Sequence, residues 1–157
     1  MQQKKNTDIK ITIEKLKEYC AIQDRCKWDI IQKIKLSQLT KNKQDDILKI
    51  LTKEKFVDEE RYSRSFCRGK FKIKNWGKNK IIYELKKKHI STICINKGLL
   101  EINDIEYLNG LNIQYQKKKK TIKEKNQFIK NKKIAAYLIN KGYESNLVWN
   151  IITKVKE

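Results

Sequence analysis

Three stretches of this chain spell one pattern, and that recurrence limits the available folds more than any other feature. IIQKIKLSQL, IIYELKKKHI and IAAYLINKGY each run from an apolar pair through a polar step to an apolar anchor, then a basic or polar turn, then an apolar residue. The anchors are Ile34, Leu85 and Leu138, spaced 51 and 53 residues apart. A second apolar helix follows each stretch (Ile47 to Leu51, Ile95 to Leu99, Val148 to Ile152), and a longer one precedes it. The pattern predicts three units of three helices, over residues 8–57, 58–102 and 103–157. No such unit buries its apolar face alone, so neighbours must stack. The expected fold is all-α: tandem three-helix repeats, about nine helices, in an elongated, curved array. The absence of proline and the presence of only five glycines agree with long helices and short turns.

Local signals fill in the units. Ile13, Leu16 and Tyr19-Cys20 recur at helical spacing from Asp8, and a second helix is expected over Lys27 to Leu36 with Ile30, Ile31 and Ile34 inward. Asn42 is a cap for the third, with Asp45 and Asp46 in its first turn where the helix dipole favours negative charge. Asp58 opens the next helix, with Glu59 and Glu60 in the first turn and Val57 placed to staple onto Tyr62. Asn75-Trp76-Gly77 ends it. His89 stops the following helix in a role glycine usually fills, and Ser91 caps a short one. Asn103-Asp104 starts a helix whose face is read as Ile105, Leu108, Leu111 and Tyr115. The last pair carries Phe128, Ile134, Tyr137 and Leu138, stops at Gly142-Tyr143, and resumes with Leu147, Val148, Ile151 and Ile152.

The formal charge of +20 points to an anionic partner: nucleic acid, nucleoprotein or an acidic membrane surface. Its bland reading is lysine-rich composition, since the arginines are only Arg25, Arg61, Arg64 and Arg68. Apolar residues at 39% suffice for a core, which argues against global disorder. MQQKKNTDIK has no apolar region of the secretory kind, and no apolar run is long enough to span a bilayer. A cytoplasmic, monomeric protein without a membrane partner is expected, its thiols reduced. Cys20, Cys26, Cys67 and Cys94 lack metal-ligand spacing and have a single histidine to work with, so no metal or other cofactor is expected. No nucleophile is placed beside His89, the carboxylate pairs are explained by capping, and no glycine-rich phosphate loop occurs. The reading is a non-enzyme.

Two features bear on binding. Arg61, Arg64 and Arg68 fall on one helical stripe, either to contact phosphates and acidic side chains or to form a solvated face paired with Glu59 and Glu60. Between Gln116 and Lys133, nine lysines face the single acid Glu124. Tight helix pairs resemble a helix-turn-helix only in outline. Trp28, Trp76 and Trp149 could stack on bases, but their periodicity favours packing.

The segment FVDEERYSRSFCRGKFKIKNWGKNKIIYELKKKHI is similar to the central signature of the RecX family of regulatory proteins. The matching features are Phe56-Val57, Asp58-Glu59, Arg61-Tyr62, Gly77 and Leu85, and the resemblance extends over roughly Tyr19 to Ile152 through YCAIQDRCKWDIIQKI and KKIAAYLINKGYESNLVWNII. Ser63, Asn79 and His89 depart from the family pattern. The resemblance implies three-helix repeats and a modulator, usually an inhibitor, of the RecA recombinase in DNA repair and the SOS response. Such a protein lies in the groove of the RecA–DNA filament and hinders its growth, ATP turnover and strand exchange. On that reading Arg61, Arg64, Arg68, Lys70, Lys78 and Lys80 face the acidic groove or the enclosed DNA. Lys117, Lys118, Lys119 and Lys120 add longer-range steering. The alternatives are a stand-alone helical nucleic-acid-binding protein without a recombinase partner, and a purely structural scaffold.

Overall fold

The computed structural model describes residues 2–154, with side chains from residue 8 onward. The expectation for the opening MQQKKNTDIK therefore lies partly outside the described residues, as do the last residues of the third unit. Nine α-helices and no strand occur among the described residues. They are α1 (Gln2–Ile22), α2 (Lys27–Ile34), α3 (Lys41–Lys53), α4 (Glu59–Lys74), α5 (Lys78–Lys87), α6 (Thr92–Leu99), α7 (Asp104–Thr121), α8 (Gln127–Asn140) and α9 (Ser145–Lys154). A 3-10 turn at Lys35–Ser37 extends α2.

The repeat seen in the sequence is present in the backbone. Gln38, His89 and Gly142 each lie four residues past their anchors, and all three are left-handed, with φ of 54°, 58° and 98°. This geometry lets the chain turn back on the helix end. The His89 N–H donates to the Lys86 carbonyl and that of Ile90 to Leu85, and Gly142 and Tyr143 do the same to Ile139 and Leu138. The turn then aims the following residue inward, and Ile90 and Tyr143 are buried while Leu39 packs against the first core. Ahead of each turn the pairs Ile30/Ile34, Ile81/Leu85 and Ile134/Leu138 are buried. Each such side chain contributes about 1.5–3 kcal/mol relative to exposure.

Two apolar cores form. The first unit gathers Leu16, Ile30, Ile34, Ile47, Leu51 and Val57. A larger core runs without interruption through the second and third units, from Tyr62 to Ile152, and takes in Cys26, the residue that precedes α2. Inside it, α6 crosses α4 closely at Gly98, where a Cβ would lie 2.8 Å from the Ser63 carbonyl oxygen and 2.9 Å from Cys67 Sγ.

The second and third units are joined through backbone. A Cβ on Gly77 would lie 2.2 Å from the Gly142 carbonyl carbon, so the two turns touch with no side chain between them. The start of α5 consequently finds its hydrogen-bond acceptors in the third unit. Gly77 donates to the Lys141 carbonyl at 2.8 Å, Asn79 to that of Gly142 at 2.9 Å, and Lys78 to the Tyr107 hydroxyl at 3.0 Å. These N–H groups have no partner within their own helix. Tyr107 in turn donates to Glu144, and its ring packs between Phe71 and Tyr143 with centroids 5.8 and 5.3 Å away.

The joint between the first and second units is polar instead. Lys88 Nζ meets Asp29 Oδ1 at 2.8 Å, with the Tyr62 and Trp28 rings 5.5 and 5.6 Å from the ammonium. Burial works against both charges. The mutual hydrogen bond nevertheless holds the Asp29 carboxyl below its ordinary range and, with Tyr62, keeps the Lys88 ammonium above its own.

Several expectations are corrected. The third helix starts at Lys41 behind Thr40, so Asn42 is inside it and Asp45 and Asp46 sit past its first turn. Val57 packs in the first core and Tyr62 in the second, which divides the expected staple between them. On α7, Ile105 and Leu108 are exposed and Tyr107 takes the inward place, because its hydroxyl is needed at the start of α5. Phe128 is also exposed, and Leu36 ends up outside α2 because the last turn tightens to 3-10. The caps at Asp58, Ser91 and Asn103 form as expected, their side chains accepting from the Arg61, Cys94, and Ile105 and Glu106 N–H groups.

Candidate functional site

The ten basic residues singled out by sequence separate into two kinds. The arginine stripe on α4 is neutralised by the protein's own acids. Arg61 Nε meets Asp24 at 3.0 Å, and its Nη2 donates to the Lys55 carbonyl at 2.9 Å, tying the α1–α2 turn and the chain before α4 to that helix. Arg64 lies between Glu60 at 3.1 Å and Glu101 at 3.0 Å, and Arg68 joins Glu101 at 3.1 Å. Hydrogen bonds from Arg68 and Arg64 hold the Glu101 carboxyl below its usual range, and Lys97 and Arg64 do the same for Glu60. Lys78 is paired with Asp104 at 3.1 Å and lies over the Tyr107 ring.

The remaining six carry no carboxylate within ion-pair distance among the described residues. Lys70 and Lys80 set their ammonium groups 4.9 and 4.5 Å from the Trp76 ring centroid. Lys118 and Lys119, on the last turn of α7 with Lys120, lie over Tyr137 and Tyr115, and Lys117 directly precedes them on the helix. An aromatic face attracts an ammonium without cancelling its charge, so these lysines project positive potential.

Lys141, which sequence reasoning passed over, connects the lysines. It follows α8, lies over Tyr137, and donates to the Lys74 carbonyl at the end of α4 at 3.5 Å. Burial, and then the nearby charge of Lys117, hold its ammonium below the ordinary lysine range. The C-terminal ends of α4, α7 and α8 thus bring Lys74, Lys117, Lys118 and Lys141 onto one side of the second and third units. Helix dipoles place partial negative charge there, which favours the clustering of cations. The signal available in the sequence was a lysine immediately before a glycine stop.

Burial pushes the thiols of Cys26 and Cys67 up to about 11. Among the described residues no cluster of histidine, cysteine and carboxylates could hold a metal ion, and no helix is long and apolar enough to cross a membrane. Trp28 and Trp76 are partly buried against the larger core, and Trp149 is 38% exposed.

Stacked three-helix units define a class of all-helical repeat proteins. Residues 58–99 match the family model for the RecX second three-helix domain, and residues 105–152 match that for the third. Together these cover more than half of the chain, and it belongs to the RecX family. A curated relative, the Regulatory protein RecX of Clostridium beijerinckii (strain ATCC 51743 / NCIMB 8052), is 28% identical over 130 residues, which are 81% of this chain and 60% of the relative's length. The chain's matched region thus spans less than two thirds of that relative. Two crystal structures share the fold. RecX from Lactobacillus salivarius has a TM-score of 0.83 at 18% identity, covering 96% of this chain and 98% of that one. A second, described as regulatory protein RecX, has a TM-score of 0.84 at 20% identity and covers 94% and 73%.

Proposed function

We propose that this chain binds the RecA–single-stranded DNA filament and restrains its ATP turnover and strand exchange. It acts by occupancy and not by chemistry, in the cytoplasm, as a monomer of three repeats in tandem. The observation that carries the reading is the unneutralised lysine surface, Lys70, Lys80, Lys117–Lys120 and Lys141, on a chain of the RecX family. A filament groove lined by acidic side chains and phosphates is complementary to such a surface, and the same charges steer association. Arg61, Arg64 and Arg68 serve this function by bracing the helices that carry the lysines.

The test is RecA ATPase on single-stranded DNA, titrated with the wild type and with the variant Lys117→Glu/Lys118→Glu/Lys141→Glu. The variant is expected to need at least about tenfold more protein for equal inhibition, a loss near 1.4 kcal/mol, with its helical signal unchanged. Equal inhibition by both removes this surface from the interface. A wild type that ignores RecA but binds naked DNA, with a salt slope that falls by about 0.9 for each lysine removed, supports the stand-alone nucleic-acid reading.

A further inference from the structure

Gly69 stands in the middle of α4 with nothing in the fold to require it. A Cβ there would meet no atom within 4 Å, and the backbone is ordinary right-handed helix. Glycine is a poor helix residue, and elsewhere along α4 the chain uses side chains. What its absent side chain leaves is a trough. Phe66, Gly69, Lys70, Ile73 and Lys74 succeed one another at three- and four-residue steps along one strip of the helix, and Gln23 and Asp24 from the turn after α1 also line the trough. The space between them is about 250 Å³.

The chemistry of the lining selects an occupant. Ile73 is 76% exposed, an aliphatic side chain that packs on little of its own protein. Lys70 and Lys74 stand at the same end with no carboxylate within ion-pair distance, whereas Asp24 is already engaged by Arg61. The trough thus has an apolar floor and a cationic end, and its one acid is neutralised. We propose that it docks an acidic peptide segment of a protein partner, with one large apolar side chain over Gly69 and carboxylates at Lys70 and Lys74. Such a segment matches both the floor and the charge. Nucleic acid fits less well. A stacking base needs an open ring face, and the Phe66 and Trp76 rings already hold the Lys70 ammonium at 5.2 and 4.9 Å. The proposal concerns peptide recognition and stands whether or not the filament reading above holds.

The test is fluorescence anisotropy on the full chain with a short fluorescein-labelled peptide, a single phenylalanine flanked by aspartates. The same peptide with asparagines and an oligothymidylate competitor serve as controls. The acidic peptide is expected to bind, the asparagine version to bind weakly, and oligothymidylate not to displace it. Gly69→Leu fills the trough and replaces a poor helix residue, so it should lower affinity at least about tenfold while the thermal midpoint stays level or rises. Lys74→Gln, at an exposed position, should lower affinity without touching the floor. Undiminished binding by both variants, no binding by the wild type, or displacement by oligothymidylate would each overturn the proposal.

Discussion

Glycines and left-handed residues divide this chain into positions the fold demands and positions it merely contains. Gly142 has a φ of 98° and presses on the Gly77 and Lys80 backbone. Gly142→Ala therefore adds a left-handed cost of roughly 1–2 kcal/mol to an overpacking cost of roughly 1–3 kcal/mol. Urea denaturation should show a loss of about 2–5 kcal/mol. Gly69→Ala should do the reverse and gain about 0.5–1 kcal/mol in the same experiment, since a Cβ there meets open space. His89 holds the same left-handed place as Gly142 but is exposed and carries a side chain. His89→Gly should raise the urea midpoint by the equivalent of about 1 kcal/mol.

Among the helices, the two joints differ in kind, and their responses to pH should differ accordingly. The α5 start is satisfied by uncharged groups of the third unit, namely two carbonyls and the Tyr107 hydroxyl. The α2–α5 joint depends on Asp29 and Lys88. Asp29 has a depressed folded pKa, so its contribution is present above the unfolded value near 3.9 and is lost as pH falls through the folded one. The raised folded pKa of Lys88 works oppositely, its contribution being present below about 10.4 and lost only at higher pH. Asp29→Asn leaves a part-buried ammonium without its counter-charge. It should cost about 1–3 kcal/mol at neutral pH, and the gap to wild type should close below about pH 4. A gap that does not narrow as pH falls below about 4 would assign the loss to packing around Cys26 and Trp28.

At the scale of the molecule, the first unit has six buried apolar residues of its own among the described residues, against eighteen in the core shared by the other two. Its opening should therefore take less free energy than global unfolding. Leu51→Ala, at a fully buried site, should cost about 2–5 kcal/mol locally. Hydrogen exchange should then show lost protection in α2 and α3 while α5 and α8 stay protected. Uniform loss along the chain would mean that the polar joint couples the cores tightly. The family's second and third three-helix domains coincide with the part that shares one core.

Much of this was legible in the sequence because it is local. The anchors Ile34, Leu85 and Leu138 gave the period, and the caps at Asp58, Ser91 and Asn103 gave helix starts, since a cap is a contact over two or three residues. The signature around Asp58-Glu59, Arg61-Tyr62 and Gly77 gave the family for the same reason. What the tertiary structure alone decided depends on residues far apart in the chain. Whether an arginine is free turns on where Asp24 and Glu101 fall, whether Leu108 or Tyr107 faces inward turns on the needs of α5, and whether Lys141 belongs with Lys117 turns on three helix ends meeting. The repeating pattern sets the helices and their order. The pairing of charge with charge, and hence which lysines stay without an acidic neighbour, is set only when the units stack.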